Sequence, residues 1–202
     1  MPHCAPKTGS GCLQRKNYAR SKAKFDHVLS LDADEALSES LKQSILAVKQ
    51  NWTYDGYTFN RLTDYCGSWI RHCGWYPDRK LRLFPKGKAQ WQGDFVHENL
   101  KLDPGIEQSF LSGDLLHYSY SSKEEHIARE KKYARLAAER DQERLNSWLM
   151  AYIKAAAKFL HMYILKLGIL DGSAGLQICL ISAKGKLWKH QYISEINASD
   201  RP

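Results

Sequence analysis

No stretch of this sequence reaches the roughly 18 consecutive apolar residues of a membrane-crossing helix, so a soluble or peripheral protein is expected. The opening MPHCAPKTGSGC has no apolar core like that of a signal peptide; residues 1–12 are expected to be a disordered or unrelated start. No C-x-x-C pair occurs among the five cysteines. With Cys4, Cys12, Cys66, Cys73 and Cys179 odd in number, the pattern speaks against a disulfide framework and for a reducing cytosol. Cys66, His72 and Cys73 lack a fourth ligand at zinc spacing. Internal repeats and low-complexity linkers are missing too. So is any helix-turn-helix, zinc-finger or RNA-recognition motif. A basic nucleic-acid-binding module is therefore the weaker alternative, although aromatics mix with Lys and Arg over residues 69–91.

What is present reads as one ordinary globular chain. Its 202 residues are 43% hydrophobic, 11% aromatic and 26% charged, enough for a real core but not for two large domains. Lys and Arg total 30 against 22 acidic residues, and the resulting charge of +8 favours anionic partners such as phosphates or acidic lipid.

Periodicity divides the chain. Leu13 to Lys24 suits a short basic helix, and Val28-Leu29-Ser30-Leu31 is an apolar run of the buried-strand kind. Asp32-Ala33-Asp34-Glu35 interrupts it. Leu37, Leu41, Ile45 and Val48 then recur at helical spacing with Ser38 available as N-cap, which gives strand, acidic turn and helix. Residues 56–100 interleave aromatics and aliphatics with Gly and Pro and suit short strands. Ser122-Lys123-Glu124-Glu125 is a capping box opening a charged helix to about Leu145, and a second, mostly apolar helix follows from Trp148 to Leu170.

Asp32 and Asp34 stand two apart at the end of an expected strand, so a period of two aims both carboxylates to one side. Ligands bind at such carboxyl ends in open α/β sheets. Paired carboxylates there suit Mg²⁺ or Mn²⁺ bridging to a diphosphate; a solvated turn is the plainer alternative.

The run Val28 to Glu35 followed by a Leu-Ser helix resembles the metal-binding segment of glycosyltransferase family 2. Gly74-Trp75-Tyr76-Pro77-Asp78-Arg79-Lys80-Leu81-Arg82-Leu83-Phe84, then Gly87-Lys88-Ala89 and Val96-His97-Glu98, is similar to the branch that includes lipopolysaccharide core β-1,4-glucosyltransferases. Gln14, Lys16 and Asn17 with Tyr18-Ala19 match the segment before the acidic turn. The resemblance covers roughly residues 13–190.

It implies a partial GT-A-like α/β fold over residues 13–120 and a helical region over 121–202. It also implies a nucleotide-diphospho-sugar donor such as UDP-glucose, and inverting hexosyl transfer to a lipopolysaccharide core or other cell-envelope glycan or glycolipid acceptor. By the same resemblance, Asp34 binds Mg²⁺ or Mn²⁺ directly, Asp32 assists through the metal or the donor ribose, and His117 completes the metal shell. Glu98 is the catalytic base, with Asp94 competing. Arg79 and Arg82 contact diphosphate or form a solvated strand face. Trp75 and Tyr76 stack on sugar or pack in the core, and His97 and His117 have a structural role as their plain alternative.

Family members carry further βα units before the acidic turn, holding the uridine-binding half. Few residues precede Asp32 here, so an amino-terminally truncated chain, or a non-catalytic remnant of the family, is expected. The Trp148–Leu170 helix carries Lys154, Lys158 and Lys166 among apolar residues. It suits either peripheral contact with acidic lipid at the cytoplasmic face of the inner membrane or simple packing on the sheet.

Overall fold

In the computed structural model the described residues are 10–92, 99–103, 105–141 and 147–199. The elements run α1 (Ser10–Ser21), β1 (His27–Leu29), β2 (Glu35–Leu37), α2 (Glu39–Gln50), β3 (Gly56–Tyr65), β4 (Ser68–Ile70), β5 (Asp78–Pro85), β6 (Ala89–Gln92), β7 (Asn99–Leu102) and β8 (Gln108–Tyr120), followed by α3 (Lys123–Arg140), α4 (Trp148–Leu160) and α5 (Gly172–Ser199). The chain is an α/β protein with a mixed sheet and carboxyl-terminal helices. It divides into two units, residues 1–61 with 79–116 and residues 62–78 with 117–202, and the division falls inside β3 and β8.

The first unit holds the strand order β1-β5-β3-β8-β2. The edge strand β1 runs antiparallel to β5, with Val28 opposite Phe84, and β6 and β7 form a separate antiparallel pair. The strand expected over Val28–Leu31 ends at Leu29, and Glu35–Leu37, read as part of the turn and helix approach, is a strand. The α2 helix begins where its sequence says. Ser38 Oγ accepts the Leu41 N–H at 3.2 Å, and Leu41, Ile45 and Val48 face a core of Tyr57, Phe59, Leu83, Leu111 and Leu115.

Three hydrogen bonds hold that helix end to β8. Ser38 N–H donates to Asp114 O at 3.0 Å, Asp114 N–H to Ser38 Oγ at 3.0 Å and Ser44 Oγ to Ser112 O at 2.8 Å. Gly113 makes the approach possible: its φ is +102°, and a Cβ there would stand 2.3 Å from Leu41 N.

In the second unit β4 pairs antiparallel with the end of β3 across a Cys66-Gly67 turn with both φ positive, the geometry of a tight hairpin. Its core gathers Tyr65, Ile70, Cys73, Met162, Ala174, Ile178 and Cys179. The α3 helix starts at the expected cap, Ser122 Oγ accepting from Glu125 N–H at 3.1 Å. The expected Trp148–Leu170 helix is broken: α4 ends at Leu160, a π-helical turn covers His161–Leu165, Leu167 is left-handed at φ 54°, and a 3₁₀ turn spans Gly168–Asp171. The α5 helix then packs on both α3 and α4. No single helix among the described residues is long and apolar enough to cross a membrane; Trp148–Leu165 and Gly168–Ser199 pass that test only as a pair, bent by 75°.

Candidate active site

The acidic turn lies in the first unit, and its surroundings begin with α1. Asn17 uses its side-chain amide as a strand would use its backbone: Nδ2 donates to Trp91 O and Oδ1 accepts from Trp91 N–H, both at 3.0 Å. Arg20 donates to Lys86 O at 2.8 Å and also bonds Ala89 O. These contacts staple α1 to β6. They set the Lys16 ammonium 4.3 Å from the centre of the Trp91 ring and 3.1 Å from Asp32 Oδ1.

The turn closes on itself, with Glu35 N–H donating to Asp32 O at 3.0 Å and Asp32 N–H to Glu35 Oε2 at 2.9 Å. Asp32 and Asp34 therefore lie outside strand geometry, and the period of two does not align them. Asp32 is half-buried, while Asp34 is exposed at the turn.

Beneath the turn lies Arg82, on β5 and only 4% exposed. Its Nη2 donates to Asp32 Oδ2 at 2.9 Å and to Glu35 Oε1 at 2.6 Å. The Glu35 carboxylate is wholly buried, and Arg61 Nη1 approaches the same oxygen at 3.7 Å. Two further guanidinium nitrogens of Arg82, Nε and Nη1, are buried without a hydrogen-bond partner among the described residues. Charge-assisted bonds of this kind compensate for burying carboxylates that would otherwise be costly to desolvate. Burial pushes the Asp32 carboxyl up, but Arg82 and Lys16 together outweigh it and hold it below its ordinary 3.8.

Arg79 sits three residues before Arg82, so strand alternation sends the two to opposite faces. The Arg79 guanidinium lies 4.6 Å from the Phe110 ring centre and is exposed. His117 belongs to the second unit, where its Nδ1 stands 3.5 Å from Thr63 Oγ1. Trp75, in the same unit, stacks on Tyr120 with centroids 5.5 Å apart. Asp94, His97 and Glu98 lie outside the described residues.

Both Asp32 oxygens are taken by organic cations, Lys16 on one and Arg82 on the other. Among the described residues no three His, Cys, Asp or Glu side chains gather to hold a metal. What the arrangement offers is an exposed carboxylate, Asp34, above an interlocked set of Lys16, Arg61 and Arg82 with Asp32 and Glu35. A phosphate oxygen can draw Lys16 from Asp32, since the ammonium swings on a flexible stem while Arg82 is locked beneath the turn.

Glu35 was not among the residues singled out as functional. Its signal was the three-residue spacing from Asp32, which suits a turn closed by its own side chain. Trp91 and Arg61 carried no signal of this kind.

No protein-family model matches this chain.

Proposed function

We propose that this chain is a GT-A-like glycosyltransferase polypeptide that binds a nucleotide-diphospho-sugar at the acidic turn. The observation that carries the reading is the turn itself: it follows β1 in an α/β unit, it is fixed from below by a buried arginine, and it presents a movable lysine beside it. The resemblance of Val28–Glu35 and Gly74–Phe84 to glycosyltransferase family 2 supports it. The donor's diphosphate engages Lys16, and Arg82 with Glu35 holds the turn in shape. An acceptor hydroxyl attacks the anomeric carbon from the face opposite the leaving nucleoside diphosphate, the sugar–phosphate bond breaks with inversion, and Glu98 or Asp94 takes the hydroxyl proton. The donor is a hexose nucleotide such as UDP-glucose, and the acceptor a cell-envelope glycan or glycolipid.

Calorimetric titration of UDP-glucose into the full chain, with and without Mn²⁺, tests this. In the absence of metal, Lys16→Gln weakens binding and Asp34→Asn strengthens it, because a carboxylate repels the diphosphate. If a divalent cation joins the turn, Mn²⁺ tightens binding and Asp34→Asn abolishes that gain. No binding in either condition, by a chain that circular dichroism shows to be folded, overturns the proposal.

A further inference from the structure

Two cavities open within the second unit, where α3 and α4 pack on α5. One of about 430 Å³ is lined by Lys154 of α4, by Lys186, Lys189 and His190 of α5, and by Asp141 at the end of α3. The other, of about 370 Å³, runs from Trp75 past Glu130 and Tyr133 of α3 to Lys158 of α4, and it too has Lys186 and Lys189 in its wall. The two are neighbouring parts of one cleft, and four lysines border it. Helical spacing puts them there in pairs: Lys154 and Lys158 stand four apart on α4, Lys186 and Lys189 three apart on α5, and such neighbours share a face. Small residues at Ala151, Ala134 and Gly185 keep the space open. Volumes of this order suit a small organic ligand.

Charge says of what kind. Like charges one helical turn apart repel, and here both pairs also turn toward the same space. Among the described lining residues only two carboxylates answer the four ammonium groups. Asp141 holds Lys189 at 2.5 Å. Glu130 is pressed against α5, where a Cβ on Gly185 would collide with its Oε1; burial pushes its carboxyl up, with Lys186 and Lys158 opposing. The Lys186 ammonium registers the excess: burial pushes it below its ordinary value, Lys158, Lys189 and Lys154 push it further, and Glu130 alone opposes them. Repelling cations gathered in a concave site gain from an anion that joins them. Lysines engage phosphate as mobile point charges, and the described lining includes no arginine to fork onto a carboxylate.

We propose that this cleft binds the phosphates of a ligand carrying two or more negative charges, such as a diphosphate ester, on Lys154, Lys158, Lys186 and Lys189. It shares no residue with the acidic turn, which belongs to the first unit.

Calorimetric titration of inorganic pyrophosphate into the full chain at low salt, with melting curves alongside, tests it. Pyrophosphate binds more tightly than monophosphate and raises Tm. Lys158→Gln with Lys186→Gln weakens binding roughly a hundredfold, at about tenfold for each lysine. The control pair Lys49→Gln with Lys184→Gln removes the same charge from exposed positions outside the cleft and changes binding less than about threefold. Without ligand the cleft variant melts no lower than the parent, since the fold already disfavours the Lys186 charge, so its weakened binding is not unfolding. Lys16→Gln, at the acidic turn, leaves this binding in place, which keeps the outcomes for the two sites apart. Vesicles containing phosphatidic acid that displace pyrophosphate assign the ligand to a lipid headgroup, and vesicles that leave it bound assign it to a soluble phosphate ester. No pyrophosphate binding by the folded chain, or equal losses in the cleft and control pairs, overturns the proposal.

Discussion

Replacing Arg82 by Met removes the cation beneath the acidic turn while keeping most of the side chain's volume. Two charge-assisted hydrogen bonds go with it, at 2.9 Å to Asp32 and 2.6 Å to Glu35. Glu35 is then a wholly buried carboxylate left with the Asp32 N–H at 2.9 Å and Arg61 at 3.7 Å. Breaking a buried ion pair costs about 3–5 kcal/mol because it strands the remaining charge. The partners that Glu35 keeps place this loss near the lower end, about 3 kcal/mol, or a fall in Tm of roughly 6–12 °C for a chain of this size.

The double variant Arg82→Met with Glu35→Gln should recover about half of that, roughly 1.5 kcal/mol, because it removes the stranded charge without restoring any bond. Melting curves and urea titrations of the parent, the single and the double variant make the measurement. The pH profile gives a second reading. In the parent, the lowered Asp32 carboxyl contributes stability above its unfolded value of 3.8, and that contribution is lost as pH falls through the still lower folded value. In Arg82→Met this acid-side loss shrinks. A single variant within about 1 kcal/mol of the parent, or a double variant less stable than the single, would refute the view of Arg82 as the anchor of the turn.

Two more predictions concern the frame around the sites. Gly113→Ala must adopt φ +102° and drive its Cβ against the Leu41 backbone. A loss of at least about 2 kcal/mol in urea is expected, against about 1 kcal/mol for Gly67→Ala, whose φ of +84° is positive but whose surroundings are open; equal losses would show that the α2 contact is not tight. The His126 imidazole is pushed down to about 4, first by burial and then by Arg129, and faces the Tyr65 hydroxyl at 3.2 Å. The unfolded chain therefore binds the extra proton as pH drops below 6.5, so stability falls from pH 6.5 toward 4 and His126→Gln flattens that slope.

Much of the local structure was legible because it is written in neighbouring residues. Ser38 before Leu41, Ile45 and Val48, and Ser122 before Glu125, announce helix starts through a side-chain oxygen and its own backbone, and both caps form. The acidic stretch was legible as a turn. That Glu35 would be buried was not, because a glutamate is ordinarily solvated and its partner Arg82 lies 47 positions away. Nor was the break after Leu160. No proline marks it, and Leu167 takes a left-handed conformation that a leucine disfavours. The reason lies in packing: at Gly168 an added Cβ would come within 2.9 Å of the sulfurs of both Cys73 and Cys179, a tertiary closeness that local spacing cannot express. The lysines of α4 were visible as composition, but only the packing of α5 on that helix turns Lys154 and Lys158 toward a shared cleft. For the proposed chemistry, the candidate pair Asp32 and Asp34 was found by spacing, whereas the organic cations that engage Asp32 come from α1 and β5.

The division inside β3 and β8 carries a consequence for how the polypeptide matures. During synthesis the first unit has all its segments once Leu116 has been made, while residues 62–78 have already left the ribosome and belong with partners that begin only at His117. Cys73 of that early segment packs with Met162 and Cys179, so its apolar surface must wait for α5. Folding in order of emergence, the usual course for successive domains, is closed to this chain. Its nascent form therefore keeps Tyr65, Ile70 and Cys73 without their helical cover until α5 has been made, the stretch on which a chaperone would have most to hold.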